Sequence, residues 1–586
     1  MPKKYRKLAL SVLVWVNSCG NATTTPDLLD AKGLLTDVTS PAILSPAPSG
    51  GGRAPNLTAK LIWATKIPAK YYEVEVTSDA AYQNPISGSP FRVVAPTTEL
   101  TINLPDAVRY YWRVRTNYNS PGVWSNGYFD AMNSSVHVFC PQASATCDDA
   151  GQSGNKSHPF RTISGALAYA RSTTVSDILV AHRGGTASYN DTMIVISGVN
   201  LKGGYTATFL EADRSMTDAN KARVAYSGTV LFALNIIAAT TVEGFNMIAT
   251  GTASTIALVA GSDNNLTLQY NRIETTVAQP GPSYGVLVQN SGTSHATGPL
   301  VAHNAIVSGN VATAGSTTAA IRLENSTPRI RNNYVKSGTI VQGITDFLSL
   351  SAGILSTNSD PLAVNNVIVA NTISGGNFAW SIGVYHFSAN GGMYSNNTIA
   401  TLSSLGNTYA LAINGGTGKP LLTNNILFNA AGGSVFYEWN SADNPVSLHN
   451  NAFIGDSGGI HYSNSGGTAI RSGNANLTNI NSSAATNGGA AATVAGNITP
   501  LSNSCIPFIN YAGDDWRLQQ NSCSASEWRD LRYGGRDTNA ANCGTGSTDC
   551  GGVTNDLNAT ARTAINSGSS PLTNAAGYSM GAYEQD

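Results

Sequence analysis

Charge is what this sequence has least of. Asp, Glu, Lys and Arg make up 11% of its 586 residues, against about a quarter in ordinary globular domains. Long coiled coils and helical bundles need Glu, Lys, Arg and Leu at helical spacing, so both are excluded. The few charges balance, with 33 basic and 34 acidic side chains and a net charge of -1. A nucleic-acid binder would show a basic excess or stripe, so no nucleic acid is expected as a partner. Low charge also accompanies disorder, but a hydrophobic content of 42% and a mean hydropathy of -0.08 supply enough apolar surface for a core. Amides and hydroxyls replace the missing charges: the chain has 59 Gly and 57 Asn. This composition reads as a secreted, β-rich, all-β protein.

Long apolar runs are also missing. The longest candidate, Leu8 to Val16, follows the basic stretch Pro2 to Lys7 and is too short to span a bilayer as a helix. Basic, apolar and polar regions in that order have the layout of a secretory signal. Val16-Asn17-Ser18-Cys19 resembles a bacterial lipobox, in which the cysteine is lipidated after cleavage, although Asn17 departs from that pattern. The resemblance implies a signal peptide over 1–18, a lipid on Cys19 and a cell-envelope, outer-membrane, surface-exposed location; the alternative is an ordinary signal peptide. Seven cysteines are present, so a lipidated Cys19 leaves six. Short loops close most readily, which favours the disulfides Cys140 with Cys147, Cys505 with Cys523, and Cys543 with Cys550. None has a nearby His at zinc-ligand spacing, and no metal or other cofactor is expected. Residues 19–53 are rich in Thr, Pro, Ser and Gly and read as a flexible linker.

From 54 to 131 short alternating strands carry large apolar side chains: Leu57, Leu61 and Trp63, then Tyr72, Val74 and Val76, then Leu100, Ile102 and Leu104, then Tyr111, Trp112 and Val114. Leu104-Pro105 leads into Tyr110-Tyr111-Trp112, as a tyrosine corner in a β-sandwich requires, and Trp124-Ser125 follows. This segment resembles a fibronectin type III domain, mostly a spacer or protein-binding module, which implies no chemistry.

A different pattern starts at Gly154. His158-Pro159-Phe160-Arg161-Thr162-Ile163 runs into a short amphipathic helix around Ala166 to Ala170. Beyond it, an Asn step entering an apolar pair recurs at Asn304, Asn333, Asn366, Asn397, Asn425 and Asn451, at spacings of 29, 33, 31, 28 and 26. A second register interleaves with the first: Gly285-Val286, Ala320-Ile321, Gly353-Ile354, Gly383-Val384, Ala412-Ile413 and Val435-Phe436. Repeats near thirty residues indicate a solenoid of roughly eleven coils between about Val175 and Ile498. Asn333, Asn366, Asn397 and Asn425 are expected to stack inward at one corner. The segment 132–504 resembles secreted right-handed parallel β-helix proteins of the pectate-lyase-like superfold, in which a helix caps the open end. The stretch 505–586, with Pro507-Phe508, Asp515-Trp516-Arg517-Leu518 and Met580-Gly581-Ala582-Tyr583-Glu584, resembles the closing segment of such proteins. It implies a disulfide-containing cap sealing the last coil.

Catalytic signals are weak. The pectin-hydrolase elements of that superfold are missing from the coils, and Glu324 and Glu438, placed at equivalent positions of the second register, would lie about 19 Å apart at the strand spacing, too far for a glycosidase pair. His303, His386 and His449 each stand alone. No catalytic residue is assigned. Alternation across the strands turns the neighbours of the second register outward: Leu287 and Gln289, Arg322 and Glu324, Leu355 and Thr357, Tyr385 and Phe387, Asn414, and Tyr437 and Trp439. Aromatic faces stack on sugar rings, so Arg322, Glu324, Tyr385, Phe387, Tyr437 and Trp439 are the candidate ligand-binding residues. The competing expectation is that these rings are buried. The function expected is a non-catalytic, adhesin-like surface lipoprotein that binds a polysaccharide or cell-surface glycan and touches the membrane through its lipid. The alternative is a polysaccharide lyase or glycoside hydrolase.

Overall fold

The computed structural model describes residues 40–524, apart from 46–51, 142–148, 342–348, 375–378, 456–459, 465–468, 472–492, 498–505 and several interruptions of one to three residues. Cys19 and the signal and linker segments before residue 40 lie outside the described residues, as do Cys147, Cys505, Cys543, Cys550 and everything after 524. Cys140 and Cys523 are disulfide-bonded. No helix among the described residues is long and apolar enough to cross a membrane.

The chain divides into two compact units, 1–137 with 149–160, and 138–148 with 161–586. The division falls later than residue 131. Residues 155–157 stay with the first unit because Asn155 Nδ2 donates to Asp130 Oδ1 at 2.9 Å and Lys156 Nζ lies 3.0 Å from Asp106 Oδ1.

The first unit has one sheet of three strands and one of five. Alternation aims Leu61, Trp63 and Ile102 from one sheet, and Tyr72, Val74, Val76, Tyr110, Trp112, Val114 and Phe129 from the other, into a single buried core. The strand Arg109–Asn117 buries Tyr110 rather than Tyr111, which faces Tyr128 on the outside instead. Tyr110 Oη donates to Asp106 O and accepts from Asp106 N, both at 3.3 Å, so the phenol ties the turn after Leu104-Pro105 to the strand it enters.

The second unit is a parallel β-solenoid. Its helix, Ile163–Ala170, packs against the early strands Asp177–Ala181 and Met193–Ile194. Thr162 caps it by accepting from Gly165 N, and Asp191 Oδ2 accepts from Ile163 N at 2.7 Å and Ser164 N at 2.9 Å. The coils then contribute to three stacked sheets. The first, of eleven strands, runs from Met193–Ile194 through Ser283–Gln289 and Ala379–Phe387 to Ala469–Arg471, whose pairing with Ile460–Asn464 is antiparallel. The second, of nine strands, runs from Ala222–Tyr226 to Ala452–Gly455, and the third reaches Thr493–Ala495.

The Asn pairs make the corner between the third and second sheets, and each member has its own task. The first takes left-handed backbone, as in Asn332, Asn365, Asn396, Asn424 and Asn450, with φ between 52° and 61°, a conformation that Asn tolerates better than most residues. The second forms a buried ladder. Asn333 N and Nδ2 both donate to Asn366 Oδ1 at 3.0 Å, and Asn333 Nδ2 also donates to Val301 O at 2.8 Å. The same pattern runs from Asn271 and Asn304 through Asn397, Asn425 and Asn451 to Asn497. Because the amides satisfy one another and the corner carbonyls, they can be buried without the cost of lost hydration.

The described C-terminal segment lies along the flank of the solenoid. Phe508, Trp516, Leu518 and Cys523 pack on Val367, Val369, Ala400, Phe428 and Ile454, the outward side chains of four successive strands of the second sheet. Lys336 of the preceding coil pairs with Asp514 at 2.7 Å. This part of the expected end cap therefore seals a sheet face, which would otherwise leave Phe428 and Ile454 in water.

Candidate functional site

The first sheet carries the candidate ligand stripe. Its inner register aligns Val286, Ile321, Ile354, Val384, Leu411 and Phe436, all fully buried. Leu411, not Ile413, holds this position in its coil. Ile413 pairs with His386, two residues along, and a shift of two keeps it facing inward. The same shift places Asn414 beside Phe387. It also separates Glu438, which pairs with Ile413 and is fully buried, from Glu324, which faces outward in the row of Thr357, Phe387 and Asn414. The two carboxylates therefore occupy different faces and not equivalent positions.

A second inward position precedes the register and accepts almost no side chain. A Cβ on Gly383 would stand 2.7 Å from Ile399 Cγ2 and 2.5 Å from Ala410 O, and one on Gly353 would stand 2.5 Å from Ile368 Cγ2. Two successive inward residues bend the strand and reset its alternation. Residues on both sides of the bend then turn outward toward one another, which makes the outer face a groove. Trp380, Ile382, Tyr385 and Tyr409 share this face, with Tyr437 packed against them.

The rings interlock. Trp380 lies 4.6 Å from Trp439 and 6.1 Å from Tyr385, edge-on; Tyr385 lies 5.8 Å from Phe387 and 6.2 Å from Trp439. Tyr409 stacks on Tyr437 at 4.6 Å, and Tyr437 meets Trp439 edge-on at 5.2 Å. Asn414 Nδ2 donates to Tyr385 Oη at 2.8 Å. Arg322 contacts Glu324 and Tyr284 Oη, its guanidinium 4.8 Å from the Tyr284 ring.

All six candidate residues thus lie on one outward face, but not equally open to solvent. Tyr385 is 5% exposed, covered by the rings around it, whereas Phe387 is 38% exposed and Tyr437 and Trp439 are half-buried. The expectation of a fully open stripe is corrected for Tyr385, which serves as the floor of the cluster. Sequence reasoning missed Trp380, Tyr409 and Tyr284. The signal was present in the small residues Gly285, Ala320, Gly353 and Gly383, which mark the bend where alternation restarts.

Burial raises the pKa of Tyr385, Tyr409, Tyr437 and Tyr284 above the usual phenol range. Their hydroxyls stay protonated at neutral pH and act as donors. His386 faces the interior, with Nδ1 3.2 Å from Tyr394 Oη. Burial, assisted by the charge of Lys419, holds its pKa down to about 3. Neither His303, stacked on Tyr270 at 4.8 Å, nor His449 belongs to the groove rows. Among the described residues no three His, Cys, Asp or Glu side chains gather as a metal site.

Fold and face together define an all-β protein with a parallel β-solenoid and an aromatic groove on one sheet. Compared with protein-family models, curated proteins and solved structures, the chain matches none.

Proposed function

We propose that the protein is a non-catalytic bacterial surface lipoprotein that binds glycans, on host or matrix surfaces or in free polysaccharide, through the aromatic groove of its solenoid. In this reading the solenoid is a right-handed β-helix of the pectate-lyase-like kind, the first unit is a fibronectin type III-like spacer, and Cys19 carries the lipid. One observation supports the binding role above the others. Trp380, Tyr385, Phe387, Tyr409, Tyr437 and Trp439 converge on the outer face of one sheet, while the interior is already filled by the inner rows. Aromatic rings flanked by amide and hydroxyl groups suit sugars, whose C–H faces stack on rings while their hydroxyls need partners.

The test is a glycan-binding screen of the intact protein beside a folded Phe387→Ala, Trp439→Ala double variant. Both substitutions remove partly exposed rings and spare Tyr385. Binding reduced roughly tenfold or more in the variant supports the reading. Unchanged binding, or cleavage of polysaccharide at enzyme-like rates, overturns it.

A further inference from the structure

The aromatic cluster is one end of a longer feature. Strand pairing sets nine outward residues in a single row, one per coil: Ile194, Phe232, Leu258, Leu287, Arg322, Leu355, Tyr385, Ala412 and Tyr437. Every rung but Arg322 is apolar or aromatic. At the strand spacing of ~4.8 Å the eight steps span about 38 Å. The row stays accessible at its far end, where Ile194 is 46% exposed and Phe232, Leu258 and Leu287 are partly exposed. Beside it runs a second outward row, Leu234, Ala260, Gln289, Glu324, Thr357, Phe387 and Asn414. Across the bend lie Tyr284, Ala319, Ala352, Ile382 and Tyr409, and beyond them Thr317, Leu350, Trp380 and Asn407.

These four rows contain only two charged residues, Arg322 and Glu324, and they pair with each other. Arg322 also contacts Tyr284, so its guanidinium is committed. An acidic polymer laid here would bring carboxylates to a face without a free cation and would pay their desolvation uncompensated. A neutral chain would bring hydroxyls, for which Gln289, Thr357, Asn414 and Tyr284 supply donors and acceptors, and C–H faces, for which the apolar rungs supply contact area.

We infer that the groove takes a single uncharged, linear polysaccharide chain running parallel to the solenoid axis across successive coils. This rests on the glycan-binding reading above and adds charge class, direction and length. The probes are neutral β-linked gluco- and manno-oligosaccharides of two to eight units and oligogalacturonates of equal length, titrated by calorimetry against the full chain at low and high salt. A neutral series is expected to tighten by roughly tenfold or more from the disaccharide to the longest member, with less than about a twofold change on raising salt, since no ion pair is screened. Leu258→Ser with Leu287→Ser, far from the rings, is expected to remove the gain of the longest chains and leave the shortest unaffected. Preference for oligogalacturonate, or marked weakening in salt, overturns the neutral assignment while leaving glycan binding intact. Affinity independent of length, or a double variant binding every length like the parent, overturns the axial path. Failure of every glycan to bind removes the glycan reading and this inference with it.

Discussion

Asn332 and Asn333 are adjacent in the chain and carry unequal burdens. Asn332 is partly exposed and holds φ at 54°, which Gly adopts without strain. Asn333 is buried and serves as acceptor for Asn304 N and Nδ2, at 2.9 and 3.1 Å, and as donor to Val301 O and Asn366 Oδ1. Asn332→Gly is expected to change stability by less than about 1 kcal/mol. Asn333→Ala strands two donors and a carbonyl, and should cost about 3 kcal/mol or more. Denaturant midpoints of the two variants check the contrast, and equal losses would contradict separate roles. His386 gives a pH prediction. Its folded pKa is about 3, below the ordinary 6.5 or so of an unfolded His. The unfolded chain binds the proton first, so the stability that neutral His386 contributes is complete above about pH 6.5 and falls as pH drops toward 3, by up to ~1.4 kcal/mol per pH unit. A His386→Asn variant should show a flatter acid limb in stability measured from pH 7 to 4; an unchanged limb would show that other groups govern it.

Among the elements, the C-terminal hairpin Phe508–Asn510 with Asp515–Leu518 shows how packing and charge differ in weight. Trp516 is buried among Phe428, Phe508 and Tyr511, with ring centroids 5.1 to 6.3 Å apart. Trp516→Ala should cost about 3–5 kcal/mol or detach the hairpin, exposing Val367, Val369 and Phe428 to a hydrophobic dye. The Lys336–Asp514 pair, whose carboxylate is 40% exposed, is screened by water, and Lys336→Ala should cost less than about 1 kcal/mol. A reversed order of these effects, read by thermal melts, would mean that the ion pair and not the apolar flank holds the hairpin. The register of the first sheet belongs to this scale too. The eight-residue strand Asn407–Asn414 gives no local sign that Leu411 rather than Ile413 aligns with Val384, because both are aliphatic and a shift of two keeps both inward.

At the scale of the whole molecule, the proposal that Cys19 is lipidated predicts that Cys19→Ala moves the protein from the membrane fraction to the soluble one while the near-ultraviolet signal of its Trp-rich cores is kept. Persistence with membranes after washing would remove the anchor. The repeating arrangement was legible in the sequence because it is local and periodic. Asn at intervals near thirty must meet equivalent residues if the coils stack, and Leu104-Pro105 before a Tyr-rich strand demands a corner, so the ladder and the Tyr110 turn followed from residue type and spacing alone. The groove was legible only in part. Tyr385, Phe387, Tyr437 and Trp439 could be assigned to the outer face by alternation, whereas Trp380 and Tyr409 join them through a bend set by contact between Gly383 and Ile399 of a different sheet. The flank position of Phe508 and Trp516 likewise depends on which apolar face the solenoid leaves uncovered. Sequence by itself determined the elements, their period and the side chains that must be inward. Tertiary structure decided register, the bend and which outward rings meet, because those depend on contacts between residues tens of positions apart that no local pattern encodes.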